Sequence, residues 1–180
     1  MKSKLAIVTA ILLMFSISMQ AQEKEKKELS GSKFKVGLGL EAALPVGNMG
    51  DVYSVGAGLS LRLLYKVTPE IGVTFTTGGI AFIPKDIKNL NDDAKATLNV
   101  PFKLGGRYKF TNKFYGIMEA GVTHSLVFFK DQNDDLQHIS GNSFTYAPGI
   151  GVLLGGFDAS LRYEGYQNAG FMGLRLGFFF

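Results

Sequence analysis

His124 and Ser125 stand side by side, and a base next to a hydroxyl is the minimum equipment for nucleophilic acyl hydrolysis. Their surroundings argue against that use. Met118, Ala120, Val122 and Leu126 alternate with Glu119, Gly121, Thr123 and Ser125, a two-residue period that points neighbours to opposite faces of a strand. A base on one face cannot take a proton from a hydroxyl on the other, so His124 is expected to be a rim histidine and no catalytic residue is assigned. The run from Asp131 to Asp135 begins like a calcium loop, but Leu136 stands where a tight-turning glycine is needed and Asn142 where a bidentate glutamate belongs. A solvated acidic loop is expected, with weak divalent binding as the minor alternative, and no metal or cofactor is assigned. Gly78 and Gly79 form no phosphate cradle, because no helix follows to supply an anion-binding N-terminus.

The residues with the sharpest physical consequence are Glu41, Arg62, Lys103, Arg107, Glu119, Arg162, Glu164 and Arg175. Each falls on the polar and glycine-rich side of an alternating segment. Phe34, Val36, Leu38, Leu40, Ala42 and Leu44 oppose Lys35, Gly37, Gly39, Glu41 and Ala43; Val55, Ala57, Leu59, Leu61, Leu63 and Tyr65 oppose Ser54, Gly56, Gly58, Ser60, Arg62 and Lys66. The same rule runs through segments around Val73, Val100, Val122, Ile150, Leu161 and Leu174, with Leu64, Ile117 and Leu153 breaking it. Eight strands result. Their connections alternate between short (Val67 to Pro69, Thr111 to Lys113, Gly155 to Gly156) and long (Val46 to Tyr53, Ala81 to Ala96, Phe129 to Gly141). Gln167 to Gly170 closes the series on the long side.

Composition narrows the class. Lys2 and Lys4, an apolar run from Leu5 to Ile17 and a small residue at Ala21 have the layout of a cleavable secretory signal over residues 1–21. At about 13 residues the run is shorter than the roughly 20 a membrane helix needs. Residues 22–33 are charged and poor in large apolar groups, which reads as a flexible leader, and the barrel domain is assigned to 34–180. The absence of cysteine excludes disulfides, thiolate metal sites and a lipid-acylated N-terminal cysteine. The formal net charge of +4, reduced by the loss of Lys2 and Lys4, is dispersed along the chain, which excludes a nucleic-acid footprint.

The fold expected is all-β: an eight-stranded antiparallel up-and-down transmembrane β-barrel. Eight strands enclose space for little more than side chains, and small or charged groups suit that space while the bulkier Leu, Val, Ile and Phe do not. Turned outward, that apolar belt needs a non-aqueous surrounding, and closure removes strand edges that hydrocarbon could not satisfy. Tyr65, Tyr108, Phe110, Phe114, Phe157 and Phe178 fall beside the short turns, where aromatic rings anchor at a lipid interface. A soluble lipocalin-like carrier is the alternative with the opposite orientation, Leu59, Leu61, Val100 and Leu174 in a core and Arg62 and Arg175 in water.

With these residues in place the segment Phe34 to Phe180 resembles the small outer-membrane β-barrels of Gram-negative bacteria, the OmpA/OmpX-type, porin-like family. The last strand, FMGLRLGFFF, carries the most specific likeness: its Phe178 and Phe180 resemble the signal read by the barrel-assembly machinery. The resemblance implies the cell outer membrane, with lipid and lipopolysaccharide as surroundings, and it implies no particular activity. Three functions stay open. A non-enzymatic envelope protein would have its lumen plugged by carboxylates paired with the inward cations, and would present its loops to a surface partner that the residues do not identify. A narrow porin-like channel would use the basic excess as an ion path. A lipid-modifying enzyme would need the His124 and Ser125 chemistry already set aside.

Overall fold

An alternating apolar segment leaves its backbone N–H and C=O groups unsatisfied unless neighbours pair on both sides, and a ring of strands is the arrangement in which every segment has two. The computed structural model describes residues 32–85, 94–130, 136–167 and 169–180. Its strands are β1 (Phe34–Val46), β2 (Tyr53–Lys66), β3 (Ile71–Pro84), β4 (Ala94–Lys109), β5 (Phe114–Lys130), β6 (Leu136–Leu154), β7 (Phe157–Gly165) and β8 (Gly170–Phe179), with one short helix, α1 (Asn48–Val52). They form a closed barrel in sequence order. β1 and β8 close it antiparallel, from Gly37 opposite Phe179 to Val46 opposite Gly170. The eight-stranded up-and-down barrel expected from alternation is the observed fold. The segments read as signal and leader lie outside the described residues, apart from Ser32 and Lys33, as does the run Asp131 to Asp135.

The short turns are built locally. In the β2–β3 turn the Thr68 hydroxyl accepts from the backbone N–H of Glu70 (3.2 Å) and Ile71 (3.0 Å), and in the β4–β5 turn Thr111 accepts from Lys113 (3.2 Å) and Phe114 (3.0 Å). Between β7 and its predecessor only Gly155 and Gly156 intervene, with Gly155 at φ 66°, in the left-handed region that favours glycine.

Orientation decides between membrane and water. Leu59 is 64% exposed and Leu174 43%, while Arg62 and Arg175 are 1% and 0% exposed. The apolar set faces outward and the ionic set inward, the reverse of a soluble carrier. Tyr65, Tyr108, Phe110, Phe114 and Phe157 are exposed on the outer wall at the short-turn end.

Three expectations need correction. The bulky apolar residues are not all outside: Leu64, Ile80, Phe82, Tyr115, Ile117, Phe171 and Phe179 are buried in the lumen, where the ionic groups alone leave volume that close packing fills. The connection read from Ala81 to Ala96 is strand at both ends, because β3 runs to Pro84 and β4 begins at Ala94. The one read from Phe129 to Gly141 is mostly a continued hairpin, with β5 and β6 paired as far as Lys130 opposite Leu136. Apolar residues on both faces hid the extension of β3 through Phe82 and Ile83, and polar residues on both faces that of the β5–β6 hairpin, since alternation marks a strand only where its two faces meet different media.

Candidate functional site in the charged lumen

Register sets which inward side chains stand level. Glu41 on β1 is opposite Arg175 on β8, Arg175 is opposite Ser160 on β7, and Arg62 on β2 is opposite Thr76 on β3. Space for the arginines comes from glycine: a Cβ at Gly39 would lie 2.7 Å from Arg175 Nε, and one at Gly177 2.5 Å from its Nη1. A wider side chain at either position would displace the guanidinium.

Two linked clusters result. In the first, Arg162 donates from Nη1 to Glu41 Oε2 (2.7 Å) and from Nε to Glu164 Oε2 (3.0 Å), and Lys103 Nζ donates to the same Glu164 oxygen. In the second, Asp158 Oδ2 accepts from Arg175 Nη1 at 2.6 Å and from Arg62 Nη1 at 3.4 Å, while its other oxygen accepts from the Tyr115 hydroxyl. Arg62 Nη2 also faces Glu119 Oε2 at 3.7 Å. The Glu119 carboxylate is fixed on its other side by the hydroxyls of Thr74 (2.8 Å) and Thr76 (2.7 Å). Arg175 Nε, 3.8 Å from Glu41 Oε1, joins the clusters. Charges this desolvated stay ionised only when partnered, since an isolated buried ion would cost several kcal/mol on the order of its lost hydration.

Arg107 is the exception. Among the described residues no carboxylate lies within 4.0 Å of it, and its Nη1 has no hydrogen-bond partner. Its guanidinium instead lies 5.0 Å from the Tyr115 ring centroid and 5.7 Å from that of Phe179, the contact an aromatic face offers a cation.

Beyond the ions, apolar side chains also pack inside the barrel. Ala43, Met49, Ile80, Phe82 and Phe171 form a buried cluster with Tyr53, Tyr166 and Ala169 against it. Phe82 and Phe171 ring centroids are 5.3 Å apart. Helix α1 carries Met49 into this cap from the β1–β2 connection. Tyr166, just past β7, hydrogen-bonds to Glu164 Oε1 (3.3 Å) and ties the cap to the ions. Burial, reinforced by that carboxylate, pushes its phenol above the ordinary tyrosine range.

All of the inward residues named from the sequence are therefore in the barrel interior, and among the described residues Arg107 alone of them has no ionic partner. Sequence reasoning left out Asp158, the hub of the second cluster, although it shares the parity of Arg162 and Glu164. It also left out Tyr115 and the whole apolar cap. His124 lies on the outer face, its Nδ1 hydrogen-bonded to Asn142 Oδ1 at 2.8 Å, with Ser125 on the opposite face. Phe178 and Phe180 pack edge to face, ring centroids 5.3 Å apart. Among the described residues no group of three or more His, Cys, Asp or Glu could hold a metal ion.

Residues 8–171 match a family model described as "Outer membrane protein beta-barrel domain". Among solved structures the barrel is similar to Ail, the attachment invasion locus protein of Yersinia pestis, at 14% identity and a TM-score of 0.59, covering 82% of this chain and 97% of that one. It is similar also to the N-terminal β-barrel domain of Pseudomonas aeruginosa OprF, at 15% identity and a TM-score of 0.56, covering 81% and 97%. No curated protein sequence matches the chain.

Proposed function

This chain belongs to the outer membrane protein beta-barrel domain family, and from that premise we propose that it is a non-enzymatic envelope protein with a plugged lumen that acts through surface contact. One observation carries the reading: two different fillings, the ion clusters centred on Asp158 and Glu164 and the apolar cap around Phe82, occupy the lumen at separate levels. An ion would have to displace both. Planar-bilayer recording of the purified protein tests it: no steady conductance is expected, and an ohmic current from single barrels would favour the channel reading.

The surface role rests on the long hairpin. β6 pairs with β7 only from Tyr146 opposite Gly165 onward, so Leu136 to Thr145 are paired with β5 on one side and have no β7 partner on the other. A raised strand with an open edge is a template for an extended segment of another protein. Long connections belong to the extracellular rim of such barrels, which sets this edge outside the cell. Ail carries attachment in its name, but at this identity the likeness is one of fold, and the hairpin is the support from this chain itself. Ile139 is 64% exposed; Ile139→Lys is expected to abolish adhesion of cells displaying the protein while leaving the barrel folded.

Export through a signal cleaved after Ala21, delivery by the assembly machinery through Phe178 and Phe180, and contact with lipopolysaccharide at the outer rim complete the proposal. N-terminal sequencing of the membrane-inserted protein is expected to begin at Gln22.

A further inference from the structure

Lys35 on β1, Lys66 on β2 and Lys109 on β4 share the lumen parity of Glu41, Arg62 and Arg107, and they are half-buried while their outward neighbours Phe34, Tyr65 and Tyr108 are exposed. Register gathers them at one end of the barrel. Lys66 is opposite Gly72, Gly72 is opposite Arg107, and Lys35 is opposite Leu64. The Lys109 N–H donates to Glu70 O at 2.9 Å and the Lys66 N–H to Lys33 O at 2.7 Å, which sets both lysines at the short-turn rim. Lys35 and Lys66 stand close enough to each other, to Lys109 and to Arg107 for their charges to repel.

Arg107 is the inner end of this cluster, 6% exposed and always ionised. Its Nη1 is buried without a hydrogen-bond partner, and among the described residues no ion pair within 4.0 Å joins Arg107 or the three lysines to a side-chain or terminal carboxylate. Asp158 is taken up by Arg62, Arg175 and the Tyr115 hydroxyl. The Glu70 carboxylate turns to Thr68, accepting from its hydroxyl at 3.2 Å. Leu64, Tyr115 and Phe179, all buried, line the floor: Leu64 Cδ1 lies 2.6 Å from where a Cβ on Gly72 would stand, and the two rings flank the Arg107 guanidinium. An apolar floor strengthens the attraction of these cations for any anion that enters, because little water is left to screen it.

We propose that Lys35, Lys66, Lys109 and Arg107 form a binding site for a soluble phosphate-bearing anion that enters the short-turn mouth of the lumen. Shape decides for phosphate over carboxylate. A carboxylate presents its oxygens along one edge, whereas a tetrahedral phosphate can be met from β1, β2 and β4 at once, with the guanidinium fork at its base. Parity decides for a soluble anion over a lipid headgroup, because the lysines face the barrel axis and not the acyl chains. Short turns lie on the periplasmic side of outer-membrane barrels, so the anion comes from the periplasm and is held without passing the ion clusters deeper in the lumen.

Isothermal titration of the mature protein, refolded in maltoside micelles at low salt and neutral pH, tests the site with inorganic phosphate as the probe. Saturable uptake of one phosphate per barrel is expected, about tenfold tighter than acetate, which offers the same guanidinium only one edge. Arg107→Met is expected to weaken it about tenfold, the order of one hydrogen bond to a charged group. Lys66→Gln, which trims a half-buried side chain and leaves the floor packed, is expected to weaken it about threefold and reports on the site independently of Arg107. Lys85→Gln removes the same charge at the opposite rim, where Lys85 Nζ donates to Gly50 O, and is expected to change nothing. Absence of saturable uptake, acetate binding as tightly as phosphate, or equal weakening by Lys66→Gln and Lys85→Gln would overturn the site. So would displacement of phosphate by two equivalents of phosphatidylglycerol per barrel, which would make a lipid headgroup the occupant.

Discussion

Asp158→Asn tests the lumen at its most connected point. The substitution keeps size and removes one negative charge from a side chain that is 0% exposed and accepts from Arg175 at 2.6 Å, Arg62 at 3.4 Å and the Tyr115 hydroxyl. Removing one partner of a buried pair costs about 3–5 kcal/mol, because the other charge is left uncompensated. Both arginines keep something here. Arg175 retains Ser60 Oγ at 2.9 Å and Arg62 retains Thr76 Oγ1 at 3.1 Å and the distant Glu119. The expected loss is therefore at the lower end, about 3 kcal/mol, or on the order of a hundredfold in the folding equilibrium. Urea titration of the barrel in lipid vesicles measures it, with circular dichroism and gel migration as readouts, since the chain has no tryptophan to report unfolding. In Asp158→Asn/Arg175→Met the orphaned charge leaves with the carboxylate, and at least half the loss is expected to return. A single variant within about 0.5 kcal/mol of the parent, the range of a surface change, would refute the view that these ions depend on one another.

Arg107→Met is expected to behave oppositely: no carboxylate is orphaned and only aromatic contacts are lost, so stability should change by less than about 1 kcal/mol in the same titration. Phe82→Ala should empty part of the apolar cap and cost about 3–5 kcal/mol, while conductance stays absent because the ion clusters still fill the lumen. Phe180→Ala should refold in vitro like the parent, its backbone N–H still donating to Val36 O at 2.8 Å, yet reach the outer membrane poorly in cells, as fractionation would show. Gly39→Val should destabilise, because its Cβ enters the space of the Arg175 guanidinium, and the two losses should be non-additive, Gly39→Val costing much less in an Arg175→Ala background than in the parent.

Period two is a relation between neighbours in the chain, and so the strands, their number and their two faces were legible in the residues themselves. So was the sidedness: glycine and ions on one face, Leu, Val and Phe on the other, make sense only if a narrow lumen lies on one side and hydrocarbon on the other. Which inward groups meet is a different matter. Arg162 and Glu41, or Arg62 and Asp158, are far apart in sequence and come within reach only through closure and register. Asp158, sitting next to a glycine turn, gave no local sign that it would bind two arginines. Phe82 and Ile80 have the parity of lumen residues but the composition of the outer wall, and only the strand's extension past Gly79 shows them capping the barrel. The free edge of β6 has the same origin: a strand's length is written along its own residues, but whether its neighbour ends sooner is decided by the barrel.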